Sequence, residues 1–390
     1  MLDRYKLSCA LEKISLFSSQ DRVQLDLAFG IWGKISQDKF FKDSIERSQS
    51  SFLLPDWAGN LSDIIAINPK IKEYSVLAVD GSQIYPDRHI GGVSCYLINI
   101  GGCLLEYGAK GRVSFFSEPF VFTHEQETLV RENYDFFSPE RVDLCREEFE
   151  LTHAYKKSCE YLNNNNNFST KNFVCLMDGS LIFWYLEGKS GALKEYYLKK
   201  YIEVLQDFYE REIIIAGYIS MPKSKELINL IKIGLCRFPC ANCISCHSEF
   251  NTFPCRQVDL VLDTQLCSCF LKEFERTTVF YSNSHIVSEY PGYLKPCFFY
   301  LNVGSEIIRV EIPMWVTHKE NYITQLCYII IDQVQKGYGY PVVLSESHEQ
   351  AVVNSADREF FYHLLQKNSI EAKRHILMSP KGIKKKGLGV

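Results

Sequence analysis

The chain has 390 residues, of which 46% are apolar and 23% charged, with a net charge of −4. That leaves room for one elaborated domain or two, and it contains no apolar run approaching the eighteen or so residues of a membrane helix. The slightly acidic balance lacks the basic surplus usual in nucleic-acid binders, although a protein with acidic metal ligands can confine its basic residues to one groove. Fifteen cysteines are an odd number, and the first residues lack the basic-then-apolar layout of a secretion signal, so a reducing cytoplasm is expected.

Residues 1–70 read as a helical N-terminal arm. MLDRYKLSCALEKISLF and DRVQLDLAFGIWGKI carry apolar residues at three- and four-residue spacings, with Ser19 and Asp21 as caps. The arm holds no chemistry of its own, which leaves it packing, dimer or partner contact. Next comes YSVLAVDGS, a short apolar run ending on Asp80, Gly81 and Ser82. After a polar turn, VSCYLINI and CLLEYG are separated by Gly101-Gly102 and read as a hairpin, so three antiparallel strands are expected. Phe116 to Phe136 is aromatic and irregular, and PERVDLCREEFELTHAYKKSCEYL is an amphipathic helix.

A polar loop at Asn163–Asn167 leads into NFVCLMDGS, a second apolar run ending on Asp178, and then into a helix over about 186–209. EIIIAGYIS is a further strand that enters the helix KELINLIKIGL through MPKS. Residues 236–269 form a Cys-rich insertion. FERTTVFYS, PCFFYLNVG and IIRVEIPMWV read as strands, followed by helices ENYITQLCYIIIDQVQKGYG and SESHEQAVVNSADREFFYHLLQK, with His348 near the start of the latter. Residues 371–390 make a basic, glycine-rich, flexible tail.

One Asp-Gly is a turn signal and no more. Two strand-DGS units place two carboxylates at strand C-termini, where ligands gather in α/β sheets and hard oxygens hold divalent cations. The element order is that of an α/β, ribonuclease H-like mixed sheet with flanking helices. In that layout Asp80 and Asp178 sit on neighbouring strands, and a helix carboxylate and a residue of a late helix close the site. Two ions about 4 Å apart would activate water and stabilise the leaving oxygen. Oxygen-rich ligation suits Mg²⁺ or Mn²⁺, and a histidine favours Mn²⁺.

The chain resembles the NurA nucleases. The matching pieces are VDGS at 79–82, REEFEL at 146–151, MDGSL at 177–181 and GYISMPKS at 217–224, followed by FERT at 274–277, RVEIPMWV at 309–316 and GYPVVLSESHEQAVV at 339–353. The resemblance implies a NurA-type nuclease domain over 71–370 and metal ligation by Asp80, Glu150, Asp178 and His348. By spacing alone Glu150 is an ordinary carboxylate paired with Arg146, Glu148 is a second candidate, and a lone helix histidine is usually structural. Tyr218, Ser220 and Lys223 match a strand-to-helix segment that could contact substrate phosphate. Arg276 is a fourth such contact, in a turn where Phe274 replaces the more usual glycine. The implied activity is single-strand endonuclease and 5′-to-3′ exonuclease cleavage of DNA, on single strands and duplex ends. It would serve double-strand break repair, as a homodimer docked on a HerA-type hexameric ATPase. Other readings are a ribonuclease H-like nuclease on RNA–DNA hybrids or branched DNA, and a non-catalytic nucleic-acid-binding adaptor.

The cysteines raise a separate expectation. Cys240, Cys243 and Cys246 follow a C-x2-C-x2-C spacing, with Cys236 before, His247 adjacent and Cys255 after. Four thiolates, with Cys240, Cys243, Cys246 and Cys255 as the leading set, would bind structural Zn²⁺ or an iron–sulfur cluster. A metal-free cysteine-rich loop is the alternative.

Overall fold

A computed structural model of the chain describes residues 2–12, 19–68, 71–86, 90–91, 95–109, 111–123, 138–164, 172–189, 191–236, 241–243, 246, 253–319, 321–371 and 377–378. It divides into two compact units. One comprises Met1–Ile67, Ser220–Ser284 and Cys297–Val310, and the other Asn68–Ile219, His285–Pro296 and Glu311–Val390.

The second unit is built on a mixed sheet flanked by helices. Its strands lie in the order Ile214–Ile219, Phe173–Asp178, Tyr74–Ile84, Cys95–Tyr107, Arg112–Thr123. The first three are parallel neighbours and the last three antiparallel ones. Both DGS strands are buried along their apolar length, as continuous apolar runs in a sheet covered on both faces should be. Helix Pro139–Asn164 packs on the first DGS strand and on helix Ala192–Glu210. Helix Val342–Ala351 packs on the first DGS strand and on Cys95–Tyr107.

Three expectations about this unit need correction. Gly101-Gly102 is not a hairpin turn but the middle of one thirteen-residue strand. A Cβ on Gly101 would stand 2.2 Å from the Ala351 nitrogen, and one on Gly102 would stand 2.1 Å from the Phe116 ring. The glycines therefore make room on both faces for neighbours. Phe116 is no irregular segment either. It belongs to the edge strand Arg112–Thr123, which is the true hairpin partner. Finally, the expected helix around His348 is two helices, Val342–Ala351 and Ser355–Glu371. The second starts at Asn354, whose Oδ1 accepts from the Ala356 and Asp357 amides while Asp357 accepts from the Asn354 amide, a reciprocal N-terminal cap. His348 thus lies in the last turn of its helix, not near its start.

In the first unit, helix Ser19–Ile35 packs on helix Glu226–Leu235, burying Ala28, Trp32 and Ile35 with Leu227, Leu230 and Ile231. Gly234 permits that approach, since a Cβ there would lie 2.7 Å from Ile35 Cγ2. Val258, Val261, Leu266 and Cys267, from the cysteine-rich stretch, enter the same core. Short strands Asp56–Trp57, Phe280–Tyr281 and Pro296–Asn302 pair in that order, and Ile64–Ala66 pairs with Glu275–Thr277. Among the described residues no helix is long and apolar enough to cross a membrane. Cys240, His247, residues 165–167 of the Asn loop and 379–390 of the tail lie outside the described residues.

Candidate active site

Asp80 ends the apolar run of its strand and pairs across the ladder with Gly101. Residues directly opposite in an antiparallel pair share a face, so Asp80 points to the side where Gly101 admits helix Val342–Ala351. There Asp80 Oδ2 lies 2.8 Å from His348 Nδ1. Asp80 Oδ1 accepts from the Gly81 amide at 2.8 Å. The helix is pinned at its C-terminus: the Ala351 carbonyl accepts from Ser82 Oγ at 2.5 Å and from Asn99 Nδ2 at 2.9 Å. These two side chains satisfy a carbonyl that the helix itself leaves unpaired. With Nδ1–H directed at a carboxylate, His348 has Nε2 left for another ligand, the arrangement usual for metal-bound imidazoles.

Gly81 faces the opposite side of the sheet, because side chains alternate along a strand. A Cβ there would lie 2.6 Å from Glu150 Oε1. Glycine at this position therefore lets a helix carboxylate come against the strand end. Glu150 is clasped by Arg146 one turn earlier on its own helix. Burial pushes the Glu150 carboxyl up to about 8, with Arg146 opposing that shift and the charges of Asp80 and Glu147 adding to it. Glu148, the other candidate, is turned elsewhere, accepting from Thr152 Oγ1 at 2.9 Å with Lys200 at 3.8 Å.

Asp178 ends the neighbouring parallel strand. It keeps solvent-accessible surface, yet the walls around it strip enough water to raise its carboxyl. A hydrogen bond from Tyr340 counters the shift, Asp80 adds to it, and His348 counters it again. The turn after it depends on two glycines. Gly179 takes φ 123 and donates to the Tyr218 carbonyl, while a Cβ on Gly217 would strike the Gly179 oxygen at 2.4 Å. Buried Glu311 then fixes the turn, its Oε2 accepting from Ser180 Oγ at 2.6 Å and the Leu181 amide at 2.9 Å. This contact unites the MDGSL and RVEIPMWV motifs.

Asp80, Asp178 and His348 thus gather at one sheet end, and Glu150 reaches the same end from the other face. Among the described residues, no three His, Cys, Asp or Glu side chains are arranged to coordinate an ion as they stand. Tyr340, Asn99 and Glu311 have site roles that sequence reasoning missed, whereas the Arg146–Glu150 pair expected from spacing is present.

The remaining candidates are placed as follows. Tyr218 is fully buried, its ring edge-on to Tyr340 with centroids 5.5 Å apart. Ser220 Oγ, in the first unit, donates to Glu306 at 2.8 Å, and Lys223 is exposed. Arg276 donates to the Thr277 carbonyl at 2.9 Å and lies over the Phe299 ring. Phe274 has not altered its turn away from the glycine conformation, for it holds φ 63 in the left-handed region. Of the cysteines, Cys236 and Cys255 share a hydrogen bond, and Cys246 lies within electrostatic range of both. Burial pushes the Cys236 thiol up to about 11.

No curated protein matches the chain. The crystal structure of the NurA nuclease from Sulfolobus solfataricus is similar to it at TM-score 0.51 and 14% identity, over 95% of this chain and 98% of that one. A crystal structure of NurA bound to dAMP and manganese aligns at TM-score 0.37 and 12% identity, over 86% of this chain and 94% of that one. A family model described as the NurA domain matches residues 74–353, which contain both aspartate strands, Glu150 and His348, and the chain accordingly belongs to the NurA domain family.

Proposed function

We propose that the protein is a divalent-metal-dependent DNA nuclease with a ribonuclease H-like core. The observation that carries this reading is the meeting of Asp80 with His348 at the strand end where Asp178 and Glu150 both feel the Asp80 charge. The donor set fits a hard cation: three carboxylates repelling one another, plus one imidazole nitrogen, are finished electrostatically by added positive charge. Asp80, Glu150, Asp178 and the free nitrogen of His348 would hold Mn²⁺ or Mg²⁺, in one or two sites. Such ions lower the pKa of an attacking water and offset charge on the scissile phosphate. The chain's own contribution is positional. Asp80 holds the His348 ring, Tyr340 holds Asp178, and Arg146 keeps Glu150 compensated until an ion takes over.

The proposed substrates are single strands and duplex ends, cut endonucleolytically and 5′ to 3′, with Ser220, Lys223 and Arg276 as candidate phosphate contacts. We extend the reading to a homodimer working in the cytoplasm with a HerA-type ATPase in DNA end processing. End-labelled single- and double-stranded DNA incubated with Mn²⁺, Mg²⁺ or chelator tests the chemistry. Metal-dependent shortening of the label is expected, and intact DNA under all three conditions would overturn the reading. A structural Zn²⁺ or iron–sulfur cluster at Cys240, Cys243, Cys246 and Cys255 is proposed on the C-x2-C-x2-C spacing alone, since among the described residues no three cysteines are arranged to hold an ion. Elemental analysis should find stoichiometric metal, and freely titrating thiols without metal would sink that part.

A further inference from the structure

The geometry points to Tyr338 as a stacking platform for a nucleic-acid base beside the Asp80–Asp178 end of the sheet, an inference that rests on the nuclease reading. Helix Tyr322–Lys336 closes with Gly339 N donating to Val334 O at 3.0 Å and Tyr338 N donating to Gln335 O at 3.4 Å. This paired closure puts one residue in the left-handed conformation, and glycine is the usual choice for it. Here the residue is tyrosine, at φ 54, although glycines stand on both sides of it. The turn is tight: a Cβ on Gly337 would lie 1.9 Å from the Tyr340 oxygen.

The ring gives the fold nothing in return for that strain, because Tyr338 is 100% exposed. A lone exposed aromatic is ordinary on a protein surface. A strained one that buries nothing is not, and strain of this kind gathers at functional sites. Its place in the chain says which site. Two residues on, Tyr340 bonds Asp178, and the helix that follows carries His348 to Asp80. The Cα atoms of Tyr338 and Tyr340 can be no more than about 7.6 Å apart. The ring therefore stands in water on the loop that touches one aspartate and delivers the partner of the other. Every base has a π-face, so a platform there would hold a single strand whatever its sequence.

The test uses full-length protein and the Tyr338→Ala, Tyr338→Phe and Tyr338→Gly variants. Each is titrated in chelator with a single-stranded oligonucleotide carrying 2-aminopurine, whose fluorescence is quenched on stacking. Tyr338→Ala should weaken binding about fivefold or more and lose the quench, while Tyr338→Phe keeps both. Tyr338→Gly should weaken binding equally yet melt at a higher temperature, since it removes the strain with the ring. Binding and quenching by the Ala and Gly variants at the original level would overturn the platform. So would failure of the unsubstituted protein to bind the oligonucleotide. Affinity lost only for a protein partner would assign the ring to protein contact instead, and would overturn it too. Cleavage is read separately with Mn²⁺: a protein that stacks the probe through Tyr338 but cuts nothing would end the nuclease reading and leave the platform standing.

Discussion

Asp263 and Glu150 are both carboxylates withdrawn from water and raised by burial, and they differ in the charges around them. Asp263, in the first unit, is fully buried and raised to about 7 by that burial. Its oxygens accept from the Ile228 amide at 2.9 Å and the Tyr300 hydroxyl at 2.7 Å. Nearby Glu226 has its own cation, Arg309, at 2.6 Å, stacked on the Phe298 ring. Glu150 is also raised by burial; Arg146 opposes the shift, and two acids, Asp80 and Glu147, add to it, where Asp263 has only Glu226 adding to its own. A buried acid whose oxygens have donors and whose one acidic neighbour is already paired with a cation is part of a core. A buried acid facing other acids is electrostatics left open for something that arrives later.

Four experiments test that contrast. The largest effect is expected for Asp80→Asn, which keeps shape but removes a charge from the crowded end. Cleavage should fall by at least a thousandfold, about 4 kcal/mol of barrier, while the melting temperature holds or rises as repulsion is relieved. A nuclease assay and a melt on one preparation decide it: retained cleavage removes Asp80 from the machinery, and a collapsed melt makes it structural. Glu226→Gln should behave in reverse. Leaving the buried Arg309 charge without its partner should cost about 3–5 kcal/mol in denaturant unfolding. If that loss is absent, the paired-core half of the contrast is wrong.

The third experiment is a pH series on Asp263. Its folded carboxyl holds a proton that the unfolded chain has released, so its contribution to stability is greatest below about 4 and is lost as pH rises toward about 7. Unfolding free energies of the native chain and Asp263→Asn should therefore converge as pH rises through that window. Parallel profiles would refute the assignment. The smallest effect belongs to Asn99→Ala, which removes bonds to the Gln350 and Ala351 carbonyls at the foot of the His348 helix. Stability should drop by only about 1 kcal/mol. Cleavage should fall by more than that loss implies, as the helix no longer holds His348 to Asp80.

Much of this was legible in the sequence. The two DGS runs declare themselves because a strand buried on both faces must be apolar throughout and then stop. Gly101-Gly102 misled because a glycine reports that something must come close without saying whether that is a turn or a neighbour. The neighbour, Ala351, is 250 residues away. Arg112–Thr123 was missed because its outward positions carry Val113, Phe115 and Val121, which blur the polar–apolar alternation of an edge strand. The helix break after Ala351 hides in Asn354, which reads as a cap only once its reciprocal bonds to Asp357 are seen. Tyr340, Asn99 and Glu311 act across more than a hundred residues of chain, and no local pattern marks such contacts.

Gly81 and Gly101 give the sheet a local thickness. Asp80 faces Gly101 across the ladder and Gly81 faces Ile100, so the two missing side chains lie one step apart and open toward opposite sides. At that one point the layer between helix Pro139–Asn164 and helix Val342–Ala351 is thinner by a methyl group on each face. The separation of the glutamate-bearing and histidine-bearing helices is thus set by residues that bind nothing. A methyl at Gly81 would act as a shim under Glu150 alone, and one at Gly101 under the His348 helix alone. The ligand spacing of the site could in this way be tuned one face at a time, with every ligand left as it is.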